Sequence, residues 1–570
     1  MGIPQRPRAM SPLNREPVRN LNPSMRPRDL ERLGSTTYDV LVAGGGIYGL
    51  ACAYEAASRG LQVALVDAGD FGGGISFNHQ KTIHGGLRSL QTGRLDRARD
   101  AVRERRALAR IAPWFLRPLP FLVGTYRSAV KGRLVLRAGF KLDSWIARDR
   151  NRDLEPELHL PAPRLISKAA TLRLFAGVNP NGLTGGAQWY DYQAVESERL
   201  TFAFAAAAER AGADLANHAE ATQALLDGRR VRGMQVRDTL SGATVEVRAA
   251  IVLNATGAQT GRIMSALGAS GAPPLLKAMN LMTSRRASDM ALAAPARDGR
   301  MLTLVPWRGR ALIGTAQSGT FVDASDTGVT PTEIDGFITR ANEAFPALNL
   351  TRSDVTLIYR GLVPAVTGRR GQPELLATPL IVDHAAQGVE GAMTVVGVKY
   401  TTARGVAQRA VNRVAKKLGK RIRPSRTAVV PLPGAGIADH EALAIERARA
   451  LRIEVPLPLI RHLIGKYAEN AAAIVSLVAE RPELAATVAP DVPTIAAEVV
   501  HVIRTEMAMR LSDIVIRRTA LGAAGHPGGV ALRACAAIAA GELGWDDTRM
   551  RNEVDDVERF YDMAGSPVVR

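Results

Sequence analysis

The sequence contains very little cysteine and no long apolar run. Two cysteines in 570 residues, Cys52 and Cys535, exclude a disulfide framework and a metal site of paired cysteines, and they favour a reducing compartment. No run approaches the roughly 18 apolar residues that cross a bilayer, so no transmembrane helix is expected. Acidic residues are also scarce, at 54 against 74 Lys and Arg, which gives a formal net charge of +20. Such a chain attracts anions, whether phosphorylated metabolites, acidic lipid headgroups or nucleic acid.

The length predicts several domains. At roughly 150 residues per domain, 570 residues hold two to four of them. Residues 1–36 are rich in Arg and Pro and have no long apolar segment, so we expect a disordered basic arm and not a secretory signal peptide. This arm is either a solvated tail or a contact for anionic lipid. We divide the remainder into a unit of interleaved subdomains over 37–425 and a second unit over 437–560.

A glycine-rich turn follows the first clear strand. Segment 38–43 predicts a buried parallel strand, and a helix over 50–58 and a second strand over 61–66 follow it. The turn between the first strand and the helix is G-x-G-x-x-G, formed by Gly44, Gly46 and Gly49. Asp67 follows the second strand, where an acid accepts hydrogen bonds from an adenosine ribose. The order of these features predicts a dinucleotide site, although the motif alone does not separate NAD from FAD.

Strands of the same buried kind return much later in the chain. Segments 250–253 and 393–396 are predicted strands, and each ends in a glycine-containing turn. Two alternating stretches around Ser241-Gly242 predict a hairpin between 229 and 247, so antiparallel sheet interrupts the parallel one. Strands that return roughly 200 and 350 residues after the first imply one nucleotide-binding sheet with a substrate domain inserted in pieces. This architecture favours FAD over NAD.

Beyond the Pro- and Gly-rich linker 421–436, strand patterns disappear. Helices are predicted over 439–451, 459–479 and 495–518, followed by further helical sequence. The predicted fold class is therefore α/β + α. It consists of a Rossmann-like FAD-binding domain, an inserted antiparallel-sheet substrate domain and an all-helical C-terminal domain.

Residues 130–145 mix basic and apolar side chains at helical spacing. Lys131, Arg133, Arg137 and Lys141 alternate with apolar residues that include Leu134, Phe140 and Trp145. A basic amphipathic helix of this kind lies in a membrane interface or packs its apolar face on its own domain. Both interpretations stay open from sequence.

Several blocks of the chain, in order, resemble the FAD-dependent glycerol-3-phosphate dehydrogenase family, which are DAO-type flavoproteins with a helical C-terminal domain. The resemblance covers about residues 37–560. The matching blocks are Val42 to Gly49, Lys81 to Arg88, Asn254 to Gly257, Val305 to Trp307, Ile313 to Thr315, Gly397 to Thr402, Glu506 to Ala508, Arg517 to Thr519 and Glu542 to Trp545.

The resemblance implies an enzyme that oxidises a secondary alcohol of a small phosphorylated polyol. Hydride would pass to FAD and electrons then to membrane quinone, from a cytoplasmic protein held peripherally at the membrane face. Lys399, between a strand end and a helix start, and Arg88, a candidate clamp for phosphate or carboxylate, are the expected catalytic residues. The residues expected to contact FAD are Gly44, Gly45, Gly46, Ile47, Gly49, Asp67, Ser76, Lys81, His84, Gly86, Ala255, Gly257, Gly397, Thr401 and Thr402.

The chain departs from the family pattern in the expected substrate region. Family members carry Arg in Tyr-x-Gly-Val-Arg-Pro, where this chain has Val363, and Arg360 three positions earlier points to the opposite face of an extended segment. Ser89 replaces an aromatic residue, and Ala316-Gln317 replaces Thr-Asp. The FAD blocks are intact, so we expect a retained FAD site with altered substrate preference, in which Arg360 is a candidate substrate contact.

His79 precedes the Lys81 position, where small hydroxyl residues are usual. The segment resembles the Ser-x-x-His of dimethylglycine-type flavoproteins, in which the His is covalently attached to flavin. The alternative is a His79 that only hydrogen-bonds to flavin or substrate.

Two other functions stay open, namely an amine or amino-acid oxidase and a flavin-binding protein that has lost catalysis through the Val363 change. No nucleic-acid role is expected, because the basic residues are dispersed and no nucleic-acid-binding motif accompanies them. No metal site is expected either.

Overall fold

The computed structural model describes residues 25–87, 93–127, 133–369, 371–434 and 440–562. Within these ranges the strands form two sheets. In chain order the strands are β1 (Thr37–Ala43), β2 (Val63–Val66), β3 (Thr82–Ile83), β4 (Leu116–Tyr126), β5 (Arg164–Ile166), β6 (Leu183–Ala194), β7 (Asp214–Ala216), β8 (Ala219–Asp227), β9 (Arg230–Asp238), β10 (Thr244–Asn254), β11 (Leu275–Thr283), β12 (Ala291–Pro295), β13 (Met301–Trp307), β14 (Arg310–Gln317), β15 (Val355–Thr367), β16 (Pro373–Leu375), β17 (Leu380–Asp383) and β18 (Ala392–Val396).

The first sheet has the order β17-β18-β10-β1-β2-β7. Strands β18, β10, β1, β2 and β7 run parallel, which is the predicted nucleotide-binding arrangement. The predicted hairpin is present as β9 and β10, and β8 extends it by pairing with β9. Helices on this sheet bury its apolar strands, and Leu41, Val42 and Val252 have no exposed surface.

The second sheet has the order β16-β15-β11-β14-β13-β12-β4-β6-β3 and is mainly antiparallel, with β5 added to β6. Only β12 and β4 pair in parallel along this order. Its strands come from chain segments between those of the first sheet, so the substrate domain is inserted in pieces, as predicted.

The helices cover the two sheets and form the region after 434. Their bounds are Leu30–Ser35, Ile47–Ser58, Leu95–Ile111, Arg133–Ile146, Lys168–Leu174, Ser197–Arg210, Thr260–Ala266, Pro331–Ala344, Ala403–Leu418, His440–Ala450, Leu457–Tyr467, Ala471–Glu480, Ala496–Thr505, Gly529–Leu543 and Asp547–Tyr561. The described residues include no helix that is both long and apolar enough to cross a membrane.

Two predicted helices of the C-terminal region are interrupted. The predicted helix 459–479 is broken at Ala468, where φ is +49°. The predicted helix 495–518 stops at Thr505 and resumes as a π-helical segment, Asp513–Arg518, after Met507 at φ +54°. Both predictions were wrong because the segments on either side of each break bury apolar residues in one core, so the hydrophobic periodicity continues across the break.

The predicted disordered arm is wrong for residues 25–36, and residues 1–24 lie outside the described ranges. Met25 is buried, and its N–H donates to the Thr505 carbonyl at 3.0 Å. A short helix, Leu30–Ser35, follows and buries Leu33. Arg26 and Arg32 both pair with Asp214 at 2.9 Å. These partners are distant in sequence, so a local composition rich in Arg and Pro does not reveal them.

Candidate active site

Three segments predicted to bind the cofactor meet at one edge of the first sheet. In the parallel register Ala43 lies beside Asn254 and beside Val66, and Asn254 lies beside Thr394. The turns after β1, β10 and β18 therefore leave the sheet together, and they carry Gly44 to Gly49, Ala255 to Gly257, and Gly397 to Thr402. Ligands of parallel α/β sheets bind at this carboxyl edge.

The glycine turn leaves no room for side chains. A Cβ on Gly49 would overlap the carbonyl oxygen of Gly44, and one on Gly44, whose φ is +105°, would lie 2.6 Å from the Ala255 carbonyl oxygen. Gly46 caps the helix Ile47–Ser58, whose first turn carries no acidic residue. The positive end of this helix suits a pyrophosphate.

Two side chains hold this turn in place. The Asp67 carboxylate accepts from the N–H of Gly45 at 2.5 Å and of Gly69 at 2.8 Å. Burial raises the pKa of Asp67, and the two N–H donors offset part of this rise. The Ser76 hydroxyl accepts from the N–H of Ile47 at 2.9 Å. Asp67 thus stands beside the glycine turn, where the ribose contact is predicted.

Lys399 and the turn after β18 contact the first turn of the glycine-motif helix. The Tyr48 hydroxyl donates to the Lys399 carbonyl, and a Cβ on Gly397 would overlap the Tyr48 ring. Lys399 itself is exposed. Helix Ala403–Leu418 begins just beyond Thr402, again with no acidic residue in its first turn, so a second positive helix end faces this edge.

His84 is held between the two sheets by Thr401 and Asp191. Its backbone N–H donates to the Thr401 hydroxyl at 3.1 Å, and its ring Nδ1 lies 3.3 Å from Asp191 Oδ2. Asp191 also accepts from the Gly85 N–H at 2.7 Å and from Arg105 at 2.5 Å. Burial favours a raised pKa for Asp191, but His84 and Arg105 lower it below its usual range.

Sequence reasoning missed Asp191. The available signal was an acid in the aromatic strand Trp189-Tyr190-Asp191-Tyr192, where only a partnered carboxylate is stable once buried. Gly86, with φ +84°, follows His84, and a Cβ there would lie 2.8 Å from that of Ala101. Arg88 and Ser89, predicted for the same turn, lie outside the described residues.

The Lys81 side chain is bound to protein groups and not to the cofactor edge. Its ammonium donates to Glu198 at 2.7 Å and to the Phe77 carbonyl at 2.8 Å, with no exposed surface. The Lys81 side chain is therefore not available for the predicted cofactor contact. Glu198, like Asp191, was not found from sequence.

His79 stacks on Tyr400 with ring centroids 4.7 Å apart. Its Nδ1 accepts from the Lys81 N–H at 3.0 Å, so the proton resides on Nε2. Burial and the Lys81 charge lower the pKa of His79 to about 3, which keeps the ring neutral. Nε2 is buried and finds no hydrogen-bond partner among the described residues. This orphaned donor is available to a ligand.

Arg360 and Val363 lie on β15, which is extended through both positions, so their side chains leave opposite faces. Arg360 is buried, and its N–H donates to the Asn78 side chain at 3.1 Å. Burial lowers the pKa of Arg360, against the opposing charge of Asp562. Gln317 ends β14, and Ala316 beside it is buried.

The residues at this edge fit FAD. The glycine cradle and two helix N-termini without acidic residues can accommodate phosphates, Asp67 stands beside the glycine turn where the ribose contact is predicted, and His79 Nε2 has no hydrogen-bond partner among the described residues. Among the described residues no group of three His, Cys, Asp or Glu is placed to hold a metal ion. The fold and the site define a dinucleotide-binding α/β protein with a separate substrate sheet.

Comparison with known proteins gives the family. Residues 39–413 match the family described as FAD dependent oxidoreductase, and residues 425–550 match the C-terminal domain of alpha-glycerophosphate oxidase. The chain belongs to the FAD-dependent oxidoreductase family. The predicted fold class, FAD as cofactor and the oxidoreductase class are thereby confirmed.

The chain is similar over most of its length to proteins named glycerol-3-phosphate dehydrogenase. It is 31% identical to the one of Synechocystis sp., over 87% of this chain and 90% of the relative. The Mycobacterium leprae relative is 31% identical over 94% of this chain and 90% of its own. The solved Bacillus halodurans enzyme, complexed with FAD, has a TM-score of 0.72 at 22% identity, over 95% of this chain and 97% of that one, and shares the fold.

Proposed function

We propose that this protein is an FAD-dependent dehydrogenase that oxidises the secondary alcohol of glycerol 3-phosphate or a closely related phosphorylated polyol. The observation that carries the proposal is similarity through both regions of the chain, 37–425 and 437–560, to relatives that bear this name. We propose these two ranges as the domains. The net charge of +20 agrees with an anionic substrate.

Bound FAD would supply the acceptor for the hydride from the alcohol carbon. The residues of the chain must then orient the alcohol, bind its anionic group and take the hydroxyl proton. We assign anion binding to Lys399 and Arg88. His84 takes the proton, because ionised Asp191 requires a hydrogen on Nδ1 and so leaves the Nε2 lone pair as acceptor.

The Asp191 arrangement is that of a base and the group that orients it. The His84→Gln variant is expected to lose about 10²-fold in kcat while keeping its FAD. Asp191→Asn tests the orienting role, since it is expected to change the pH profile of kcat/KM. Unchanged kcat in His84→Gln would remove His84 from the mechanism.

Val363 supports an altered preference within this substrate class. It stands where relatives are expected to carry a substrate-binding Arg, and Arg360 leaves the opposite face of β15. The Val363→Arg variant is expected to lower KM for glycerol 3-phosphate, because a guanidinium binds phosphate in a bidentate way. If the unmodified protein has a higher kcat/KM for another polyol phosphate than for glycerol 3-phosphate, that compound is the preferred substrate.

We propose membrane quinone as electron acceptor, with the protein held peripherally at the cytoplasmic face. Helix Arg133–Ile146 supports this. It packs on its own domain through Phe140 and Ile146, but Val135, Leu142 and Trp145 are 47%, 37% and 63% exposed. These three lie along one side of the helix, at spacings of seven and three residues, as an interfacial helix requires.

The deciding experiment is anaerobic bleaching of the visible absorbance of the bound flavin. The panel contains glycerol 3-phosphate, other phosphorylated polyols, free polyols, hydroxy acids and amines. Bleaching by a phosphorylated polyol supports the proposal. Bleaching by amines alone, with peroxide formed in air, identifies an amine oxidase, and no bleaching of a flavin that dithionite reduces identifies a protein without catalysis.

Membrane binding is tested separately with vesicles of anionic and of neutral lipid. Binding that survives 1 M salt, where the Debye length is about 3 Å, indicates apolar insertion. Trp145→Ser is then expected to weaken it. Vesicle binding that high salt abolishes indicates charge attraction alone. The acceptor is tested with a quinone analogue, and failure of the analogue to reoxidise the reduced protein would contradict quinone as the electron acceptor.

A further inference from the structure

The loop 67–76 wraps the glycine turn and is tied to it at three points. Asp67 accepts from the Gly45 N–H, the Gly72 N–H donates to the Gly45 carbonyl at 2.9 Å, and the Ser76 hydroxyl accepts from the Ile47 N–H. The position of this loop therefore fixes the pyrophosphate turn and the predicted ribose acceptor together.

The C-terminal region holds the same loop through Asp70. Arg518 donates to both carboxylate oxygens at 2.7 Å, and Arg517 donates to Oδ2 at 2.7 Å. Asn217 adds a hydrogen bond to Oδ1 at 3.0 Å. The Asp70 side chain has no exposed surface, so the carboxylate is stable there only because two guanidinium groups compensate it.

A second connection runs through His218. Its backbone N–H donates to the Gly69 carbonyl at 2.7 Å, and its ring Nε2 lies 2.8 Å from Asp513 Oδ2. Asp513 accepts from Arg517 at 2.6 Å, which joins the two connections. The pKa of Asp513 is lowered well below its usual range because His218, Arg517 and Arg518 outweigh the effect of burial.

We propose that the C-terminal helical region sets the affinity for FAD by holding the loop 67–76 against the glycine turn, with Arg517 and Arg518 as positioning residues that act through Asp70. The proposal rests on FAD binding and not on the identity of the substrate. Linkage requires the converse effect too, so bound FAD strengthens the attachment of the C-terminal region by the same factor.

The test measures the FAD dissociation constant of the apoprotein by titration in the variants Arg517→Gln and Asp70→Asn. Each is expected to raise it about tenfold or more, because the loop loses a charged anchor. Arg517→Lys keeps the charge and is expected to recover part of the affinity. Ile75 of the same loop packs against Gly361 of β15, so the readout is the FAD dissociation constant of the apoprotein and not the KM for the substrate.

The control is Arg199→Gln. Arg199 makes a bidentate pair with Glu506, at 2.6 and 2.8 Å, in the same interface and is more buried than Arg517, with 6% against 16% of its side chain exposed, but it stands on helix Ser197–Arg210 and does not bind the loop carboxylate. We expect its FAD affinity to change less than threefold. Equal loss in Arg199→Gln and Arg517→Gln would mean that only the general integrity of the interface matters, and it would overturn the proposal.

A second measurement needs no variant. Amide hydrogen exchange in helix Gly529–Leu543 and the segment 506–519 is expected to slow when the wild-type apoprotein binds FAD. Unchanged exchange there, or unchanged FAD affinity in folded Asp70→Asn protein, overturns the proposal. A wild-type protein that binds no FAD would instead contradict the cofactor itself, so the two failures are distinguishable.

Discussion

The hydroxyl group of Tyr48 donates a hydrogen bond to the carbonyl oxygen of Lys399 at 2.7 Å, across 351 residues of sequence. The same hydroxyl accepts from the N–H groups of Val398 and Lys399, each at 3.2 Å. Tyr48 belongs to the first turn of the glycine-motif helix. One phenol therefore ties the predicted pyrophosphate site to the turn that carries the predicted catalytic Lys399.

Replacement of Tyr48 by Phe is expected to reduce kcat/KM by up to about tenfold. Phe keeps the ring against Gly397 and removes only the hydroxyl contacts, each of which contributes about 0.5–1.5 kcal/mol net. FAD content, measured by absorbance, is expected to be unchanged. The control is Tyr126→Phe, whose hydroxyl donates to the Asn179 carbonyl away from the site. An equal effect of both substitutions would contradict the positioning role.

Replacement of Gly49 by Ala is expected to yield protein without FAD. The new methyl group would overlap the Gly44 carbonyl oxygen and force the glycine turn apart. Flavin content after purification and the melting temperature measure the effect. Gly465 is a matched helical glycine with nothing near its Cβ position, so Gly465→Ala is expected to raise stability by up to about 1 kcal/mol. Retained FAD in the Gly49→Ala variant would show that the backbone of the glycine turn can shift to accommodate the methyl group.

The buried pair of Lys81 and Glu198 predicts an acid-sensitive contribution to stability. Burial favours a raised pKa for Glu198, but Lys81 and Arg308 lower it from its usual 4.5 to about 2. A depressed carboxyl pKa stabilises the fold above pH 4.5, and this contribution is lost as the pH falls toward 2.

The free energy of unfolding of the Lys81→Met variant is expected to be about 3–5 kcal/mol lower than that of wild type at neutral pH, since Glu198 stays buried without its partner. The difference from wild type is expected to shrink on acidification, because Glu198 then becomes neutral. Denaturant unfolding at several pH values measures both effects. Adding Glu198→Gln to Lys81→Met is expected to recover part of the loss, and a pH-independent difference would contradict the assignment.

Both cysteines are expected to be inert in the folded protein. Cys52 and Cys535 have no exposed surface, and burial raises the pKa of each to about 12. The reactive thiolate is therefore absent at neutral pH. A thiol reagent is expected to label neither residue in native protein and both after unfolding. Rapid labelling of native protein would show that one of these regions opens.

The sequence by itself determined the nucleotide-binding sheet, the glycine turn, Asp67 and the helical C-terminal region. These features depend on residues that are neighbours in the chain, because strand composition, helical periodicity and a motif of fixed spacing are local properties. The local pattern was also enough to place Lys399 between a strand and a helix. It failed at Ala468 and Met507, where a helix breaks without any change in apolar periodicity.

The tertiary structure decided which charged groups are paired. Four carboxylates pair with residues more than 100 positions away in the sequence. They are Glu198 with Lys81, Asp191 with His84, Asp70 with Arg517 and Arg518, and Asp214 with the N-terminal arginines. A carboxylate in the sequence is compatible with a solvated surface position or with a buried pair. Only the fold brings the partner that makes burial possible, so these residues could not be found from spacing.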